Sequence, residues 1–85
     1  MELVRGQLVF SRQGRDVTRV YAVLEVQGER ALVCDGKKRT LAQPKQKNLR
    51  HLAHTSTVLS AAQMETDAEI EAALRAWTEA HGLNQ

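Results

Sequence analysis

Basic side chains form three groups in this sequence, each beside a predicted turn or beside Pro44. The groups are Arg12, Arg15 and Arg19; Lys37, Lys38 and Arg39; and Lys45, Lys47 and Arg50. Arg and Lys bind phosphate oxygens through charge-assisted hydrogen bonds, and such contacts give a salt-dependent affinity without reading base sequence. We expect all of these residues except Arg50 to form a phosphate-binding patch. The alternative is a set of solvated charges that keeps a small domain soluble.

The charge is divided unevenly along the chain. Residues 1–55 carry eleven Lys and Arg against five acidic residues, a net charge of +6, although the whole 85-residue chain carries only +2. Residues 56–85 carry one Arg against five acidic residues, a net charge of −4. A basic domain followed by an acidic segment indicates a nucleic acid as the partner of the basic half.

Catalytic and metal chemistry are not expected from this sequence. It has no nucleophile placed with a base, no paired carboxylates at a recognised spacing and no phosphate-binding glycine loop. His51 and His54 would lie on opposite faces of a strand, and Cys34 alone completes no ligand set. We therefore predict a protein that is not an enzyme and uses neither a cofactor nor a metal.

The number of cysteines and the length of the apolar runs indicate the cellular compartment of the protein. A single cysteine excludes an internal disulfide framework and fits a reducing environment. No apolar run approaches the ~18 residues of a membrane span, and no secretory h-region of ~7–15 apolar residues follows the first residues. The expectation is a cytoplasmic protein with no membrane partner.

The elements that position the basic groups are predicted to be short strands. Alternation along the chain predicts strands around Leu8 and Phe10 and at 20–26. Turn residues between apolar stretches predict further strands at 31–34 and 39–43, and a last short strand is expected around 48–54. Asp35-Gly36 predicts a two-residue hairpin turn between the third and fourth strands. Five strands joined by tight turns indicate a mainly β fold, a small five-stranded antiparallel barrel of the SH3-like kind over residues 1–55.

Tyr21 is the aromatic side chain expected on the exposed barrel surface, because it alternates with Ala22 and Leu24. It is a candidate for stacking on an unpaired RNA base, and the equal alternative is that it covers the barrel surface. One exposed aromatic residue is too few for a stacking platform. Recognition by RNA shape and phosphate placement is therefore expected.

The C-terminal region, residues 66–85, is predicted to be an acidic helical extension. A capping box at Thr66-Asp67-Ala68-Glu69 predicts a helix over about 67–80. Ile70, Leu74 and Trp77 follow at helical spacing, and they either dock on the barrel or form a handle for a protein partner or a second copy. Residues 56–65 connect the two parts, either as a further helical turn or as extended chain.

Several segments resemble the KOW family of ribosomal proteins and transcription-elongation factors. Residues 6–16, with a glycine followed by a basic and an acidic residue, look like the opening of a KOW motif, whereas Thr18 stands where a second glycine is usual. Residues 32–39 and 44–52 are similar to the small bacterial KOW-domain RNA-binding proteins, so the resemblance covers about residues 3–55. It implies an SH3-like barrel that contacts RNA, often on or near the ribosome, without catalytic activity.

The sequence therefore predicts a non-catalytic, ribosome-associated RNA-binding module that contacts ribosomal or other structured RNA through phosphates. The alternative is a protein-interaction adaptor in transcription or translation, which would use the barrel edge or the C-terminal helix. Charge favours RNA, because peptide-binding SH3 domains need an aromatic-lined groove that this sequence does not provide. Whether the acidic helix folds back over the basic face stays open at this stage.

Overall fold

The structure, a computed structural model, describes residues 2–12 and 19–82. Its strands are β1 (Gln7–Ser11), β2 (Val20–Gln27), β3 (Arg30–Cys34), β4 (Lys45–Asn48) and β5 (Leu52–Val58). Two 3-10 turns, Leu49–His51 and Ala62–Met64, precede the helix α1 (Asp67–Ala80). The prediction of a mainly β protein with five antiparallel strands and a C-terminal helix is confirmed.

All five strands belong to one antiparallel sheet in the order β4-β3-β2-β1-β5. Leu8 lies opposite Ala22, which in turn lies opposite Cys34, so these three side chains form a row on one face. The β2–β3 register shifts between Val23 and Glu25. Such an irregularity bends a strand and increases its twist.

Both faces of the sheet are buried, which explains the continuous apolar run at the start of β2. One face carries Val20 and Ala22 and packs against α1 and the connector. The opposite face carries Tyr21 and Val23 and packs against residues of the other strands. The buried members of the first cluster are Leu8, Val20, Ala22, Cys34, Leu59, Met64, Ile70 and Leu74, and those of the second are Val9, Tyr21, Val23, Ala31, Val33 and Leu52.

The sheet curls around its second cluster. The ammonium group of Lys47 on β4 donates a hydrogen bond to Ser11 Oγ on β1 at 2.8 Å, although two strands separate β4 from β1 in the sheet. Leu49 N–H also donates to the Glu29 carbonyl at 2.9 Å, which holds the turn after β4 against the β2–β3 hairpin. The edges β4 and β5 do not pair with each other in the described part of the chain, so the sheet is open.

The predicted fourth strand at 39–43 is wrong, because this segment belongs to a loop between β3 and β4. Asp35 Oδ1 accepts hydrogen bonds from the backbone N–H groups of Lys37 and Arg39, at 2.8 and 3.0 Å. The Arg39 carbonyl accepts in return from Asp35 and Gly36, at 2.8 and 3.1 Å. An Asp side chain that captures nearby N–H groups competes with strand pairing, and β4 begins only after Pro44.

The last strand also differs from its predicted bounds. Asn48 Oδ1 accepts a hydrogen bond from Arg50 N–H at 2.9 Å, and this contact starts a 3-10 turn at Leu49–His51 instead of extended chain. β5 begins at Leu52 and continues to Val58, past residue 55, where the sequence placed the end of the barrel. The connector then forms the 3-10 turn Ala62–Met64 with Met64 buried.

The helix forms as the capping signal predicts. Thr66 Oγ1 accepts a hydrogen bond from Glu69 N–H at 3.1 Å, which satisfies one of the free N–H groups of the first turn. Asp67 and Glu69 lie in that turn, where the helix dipole favours negative charge. The predicted bounds of α1 are confirmed.

Helix α1 docks on the sheet through its apolar residues. Ile70 and Leu74 are buried in the first cluster. Trp77 donates a hydrogen bond from Nε1 to Thr57 Oγ1 at 3.0 Å, and its ring lies 5.5 Å from the Phe10 ring. These three residues therefore pack against the sheet, as the docking alternative predicts.

Replacing Ile70 by Ala should lower the free energy of unfolding by about 2–5 kcal/mol, because it removes buried methyl groups and leaves a cavity. Ile70 is 0% exposed, whereas Val58 is 51% exposed. Val58→Ala is therefore the control, with an expected loss under about 1 kcal/mol. Urea denaturation measures both values, and equal losses would contradict the docked position of the helix.

Candidate nucleic-acid interface

Four basic residues surround a hollow of about 140 Å³ at the end of the sheet where β3 leads into the loop. We call it the basic hollow; its lining residues are Arg19, Tyr21, Lys38, Arg39 and Lys45. Arg19 directly precedes β2, Lys45 is the first residue of β4, and Lys38 and Arg39 belong to the β3–β4 loop. Three separate segments thus contribute cations to one space.

The sheet and the loop together explain why these residues meet. Lys45 pairs with Val33 near the end of β3, and β3 lies between β2 and β4. Arg19 therefore lies two strands away from Lys45, on the same end of the sheet. Asp35 folds the loop back by binding the N–H group of Arg39, which keeps Lys38 and Arg39 beside that end.

Four of the five described lining residues of the basic hollow are basic. None of its described lining residues is acidic. The nearby carboxylate of Asp35 binds two backbone N–H groups through Oδ1, and its Oδ2 lies 4.0 Å from Arg19 Nη1. The side chains of Lys38 and Arg39 are exposed to solvent, so they remain accessible to an anion.

Tyr21 lines the basic hollow and is buried, so the prediction of an exposed Tyr21 is wrong. It is 2% exposed and belongs to the cluster inside the curled sheet. The physical reason is that the sheet curls, so the face of β2 opposite the helix is also buried. A ring in this position is not available to stack on an RNA base.

Lys47 is not one of the described lining residues of the basic hollow. Its ammonium group is 5.8 Å from the centroid of the Tyr21 ring, within the range of a cation–π contact. The same group binds the buried hydroxyl of Ser11. Lys47 thus adds positive charge near the hollow while its position is held by contacts within the chain.

Other predicted site residues lie elsewhere. The Lys37 ammonium group lies 3.6 Å from Glu71 Oε2 on α1, and the Lys37 side chain is 72% exposed. Arg12 N–H donates to the His51 carbonyl at 2.6 Å, so Arg12 lies beside the 3-10 turn at 49–51. Arg15 falls outside the described residues. The structure therefore joins Arg19, Lys38, Arg39 and Lys45, but not Lys37 or Arg12.

Asp35 is the residue whose role sequence reasoning missed. The sequence predicts that Asp35 belongs to a two-residue hairpin turn. In the structure, its Oδ1 instead binds two backbone N–H groups of the loop, and its Oδ2 lies near the guanidinium of Arg19. The signal in the sequence is an Asp followed by a Gly and three basic residues, a pattern that also suits an Asp-centred loop.

Burial protects the thiol of Cys34 from chemical modification. It is fully buried, and burial raises the pKa of its thiol to about 12, with the charges of Asp67 and Asp35 adding to the rise and that of Arg5 opposing it. Because the thiolate is the reactive form, the thiol should stay unmodified by a disulfide reagent at pH 8 and react fully in urea. Fast modification of the native protein at pH 8 would contradict this burial.

Two further structural features bear on the class of protein. In residues 2–12 and 19–82, no three His, Cys, Asp or Glu side chains come together as a metal ion would require. No helix in the same ranges is both long and apolar enough to cross a bilayer. Compared with models of known families and with curated proteins, the chain has no match.

Proposed function

We propose that this protein is a non-catalytic, cytoplasmic RNA-binding module with an SH3-like barrel of the KOW type. Five antiparallel strands, with β5 returning to pair with β1, support the proposal at the level of the fold. The curl that brings Lys47 across to Ser11 is what a small barrel requires. The resemblance of residues 6–16, 32–39 and 44–52 to KOW proteins supports it at the level of sequence.

The observation that carries the proposal is the convergence of four cations on the basic hollow. In an unstructured chain these residues would be spread over 27 positions, from Arg19 to Lys45. Folding places them around one space without an acidic residue in its described lining. Charge-assisted hydrogen bonds from Arg and Lys to phosphate oxygens are the chemistry that such a site supplies.

The mode of recognition follows from the burial of Tyr21. With this ring inside the sheet, the interface offers cations and backbone but no stacking surface at the hollow. RNA would then be recognised by the placement of its phosphates and its shape. Ribosomal or other structured RNA, which holds phosphates in fixed positions, is the target that this interface fits.

The docked helix gives the alternative of a protein-interaction adaptor less support than the RNA-binding function. The apolar side chains of α1 pack against the sheet, so a partner cannot bind them without undocking the helix. The sheet edges at β4 and β5 are the surfaces left to an adaptor.

Binding to a ribosomal RNA fragment and to a generic duplex over a salt series tests the proposal. Each phosphate contact contributes a slope of about −0.7 to −0.9 in log affinity against log salt. The four cations of the basic hollow alone therefore predict a slope near −3. Tighter binding of the ribosomal fragment would support the structured target, and no binding at low salt would refute the function.

A further inference from the structure

The first half of the β3–β4 loop is fixed in shape by its own hydrogen bonds. Asp35 Oδ1 binds the N–H groups of Lys37 and Arg39, and the Arg39 carbonyl accepts from the N–H groups of Asp35 and Gly36. Because these bonds join residues of the same segment, they fix its shape but not its place on the sheet. Asp35 Oδ2 also lies near Arg19 Nη1, but their separation of 4.0 Å is too long for a hydrogen bond.

Helix α1 contacts the loop on both sides of its two binding cations. On one side, Gly36 lies so close to the helix that an added Cβ would be 2.8 Å from the backbone nitrogen of Glu71. On the other side, Leu41 N–H donates a hydrogen bond to Asp67 Oδ1 at 2.8 Å, and the Leu41 side chain packs against the first cluster. The docked helix therefore places the part of the loop that the internal hydrogen bonds only shape.

We propose that Asp67 is a positioning residue for RNA binding, because its carboxylate holds, through Leu41, the loop that brings Lys38 and Arg39 to the basic hollow. This inference rests on the proposed RNA-binding function and gives the acidic helix a part in it. A backbone N–H bound to a carboxylate is a charge-assisted hydrogen bond and is stronger than a neutral one. Without this bond the loop has more conformations to lose when RNA binds, so the affinity falls.

The expected effect of removing Asp67 has the opposite sign to that of simple electrostatics. RNA is a polyanion, so the loss of a negative charge from the protein should by itself strengthen binding. The loss of the acceptor for Leu41 N–H should instead weaken it. Asn keeps a side-chain oxygen acceptor but has no charge, whereas Ala has neither. Asp67→Asn and Asp67→Ala therefore change the charge equally and differ in the acceptor.

The test titrates a labelled ribosomal RNA fragment with the whole protein and its variants at low salt. Asp67→Ala should bind about 3- to 10-fold more weakly than both the original protein and Asp67→Asn, as the ordering of one or two side chains would cost. Asp67→Asn should bind at least as tightly as the original protein. The control is Glu79→Ala, which removes an exposed acidic side chain roughly 18 Å further along the same helix and should also bind at least as tightly.

Hydrogen exchange of Leu41 N–H tests the same inference without any substitution. Coupling between two binding events is reciprocal, so RNA must strengthen the contact between the loop and the helix by the factor by which that contact strengthens RNA binding. Saturating RNA should therefore slow the exchange of this amide about 3- to 10-fold in the original protein. This measurement remains decisive if Asp67→Ala does not fold.

The outcomes separate the inference from the function on which it rests. Unchanged or tighter RNA binding by Asp67→Ala would overturn the inference and leave the proposed function in place. An equal loss of affinity in Asp67→Asn and Asp67→Ala would also overturn it, because the acceptor would then make no difference. Exchange of Leu41 N–H that RNA leaves unchanged would have the same meaning. Absence of RNA binding by the original protein would overturn the proposed function itself.

Discussion

Replacing Lys38 and Arg39 together by Gln should weaken RNA binding about 10- to 100-fold at 0.1 M salt. Both side chains line the basic hollow and are exposed, so their loss removes phosphate contacts without opening the core. Each lost phosphate contact also reduces the slope of log affinity against log salt by about 0.7–0.9. The slope should therefore become shallower by nearly 2, and the variant and the original protein should converge as salt approaches 1 M.

The matched control replaces Arg30 and Arg75 by Gln, which changes the net charge by the same amount. Arg30 begins β3 at the end opposite Lys45, where it pairs with Asn48, and Arg75 lies on α1. Fluorescence anisotropy with labelled RNA measures both variants across the salt series. Equal losses in the two pairs would show that net charge alone drives binding, and the hollow would then have no special part.

Replacing Gly36 by Ala should strongly destabilise the protein, because this glycine touches the start of α1. An added Cβ would collide with the carbonyl oxygen of Asp67 and lie 2.8 Å from the backbone nitrogen of Glu71. Gly36 also has φ +80°, a conformation that costs an L-residue about 1–3 kcal/mol. Relief of the collision requires the helix or the loop to move, since both partners are backbone atoms.

Gly28→Ala separates the cost of the positive φ from the cost of the collision with backbone atoms. Gly28 has φ +63°, but no atom lies within 4 Å of its added Cβ. It should therefore show the backbone cost alone, and Gly36→Ala should lose at least about 2 kcal/mol more, as overpacking usually costs. Urea denaturation gives both values. Similar losses for the two variants would mean that the helix does not approach the loop as closely as the structure shows.

The same contact connects the helix to the basic hollow. Gly36 precedes Lys38 by two residues, and Leu41 on the far side of the loop donates its N–H to Asp67. The acidic helix thus contacts the loop that carries two of the binding cations. Of the described basic residues in this loop, Lys37 is the one that pairs with the helix, through Glu71. The helix therefore does not fold over the hollow, whose described lining contains no residue of α1.

Strands β1, β2 and β3 and the helix could be predicted from local patterns. The alternation in β2 identifies its strand, and the capping box at Thr66 identifies the start of α1. Both signals depend on neighbouring residues only, so they do not require knowledge of the tertiary structure. The candidate cations were also identifiable, because basic residues beside turns remain solvated whatever the exact topology.

The segment at 35–44 could not be predicted in the same way. A two-residue turn at Asp35-Gly36 is locally favourable, but the loop that forms instead gains contacts with distant residues. Asp67 accepts a hydrogen bond from Leu41 across 26 positions, and Gly36 fits against the first turn of the helix. These contacts exist only after α1 has docked, so no reading of residues 35–44 alone reveals them.

The sequence by itself determined a basic, mainly β domain with an acidic helix. The spacing of apolar residues, the capping box and the distribution of charged residues all depend on residues that are close together in the sequence. The tertiary structure alone decided which cations meet and that Tyr21 is buried. Arg19, Lys38, Arg39 and Lys45 converge because β3 places β2 beside β4 and because Asp35 turns the loop back. Lys37 lies outside this set because the docked helix brings Glu71 to it. Such choices depend on contacts between residues far apart in sequence, which form only when the sheet curls and the helix packs on it.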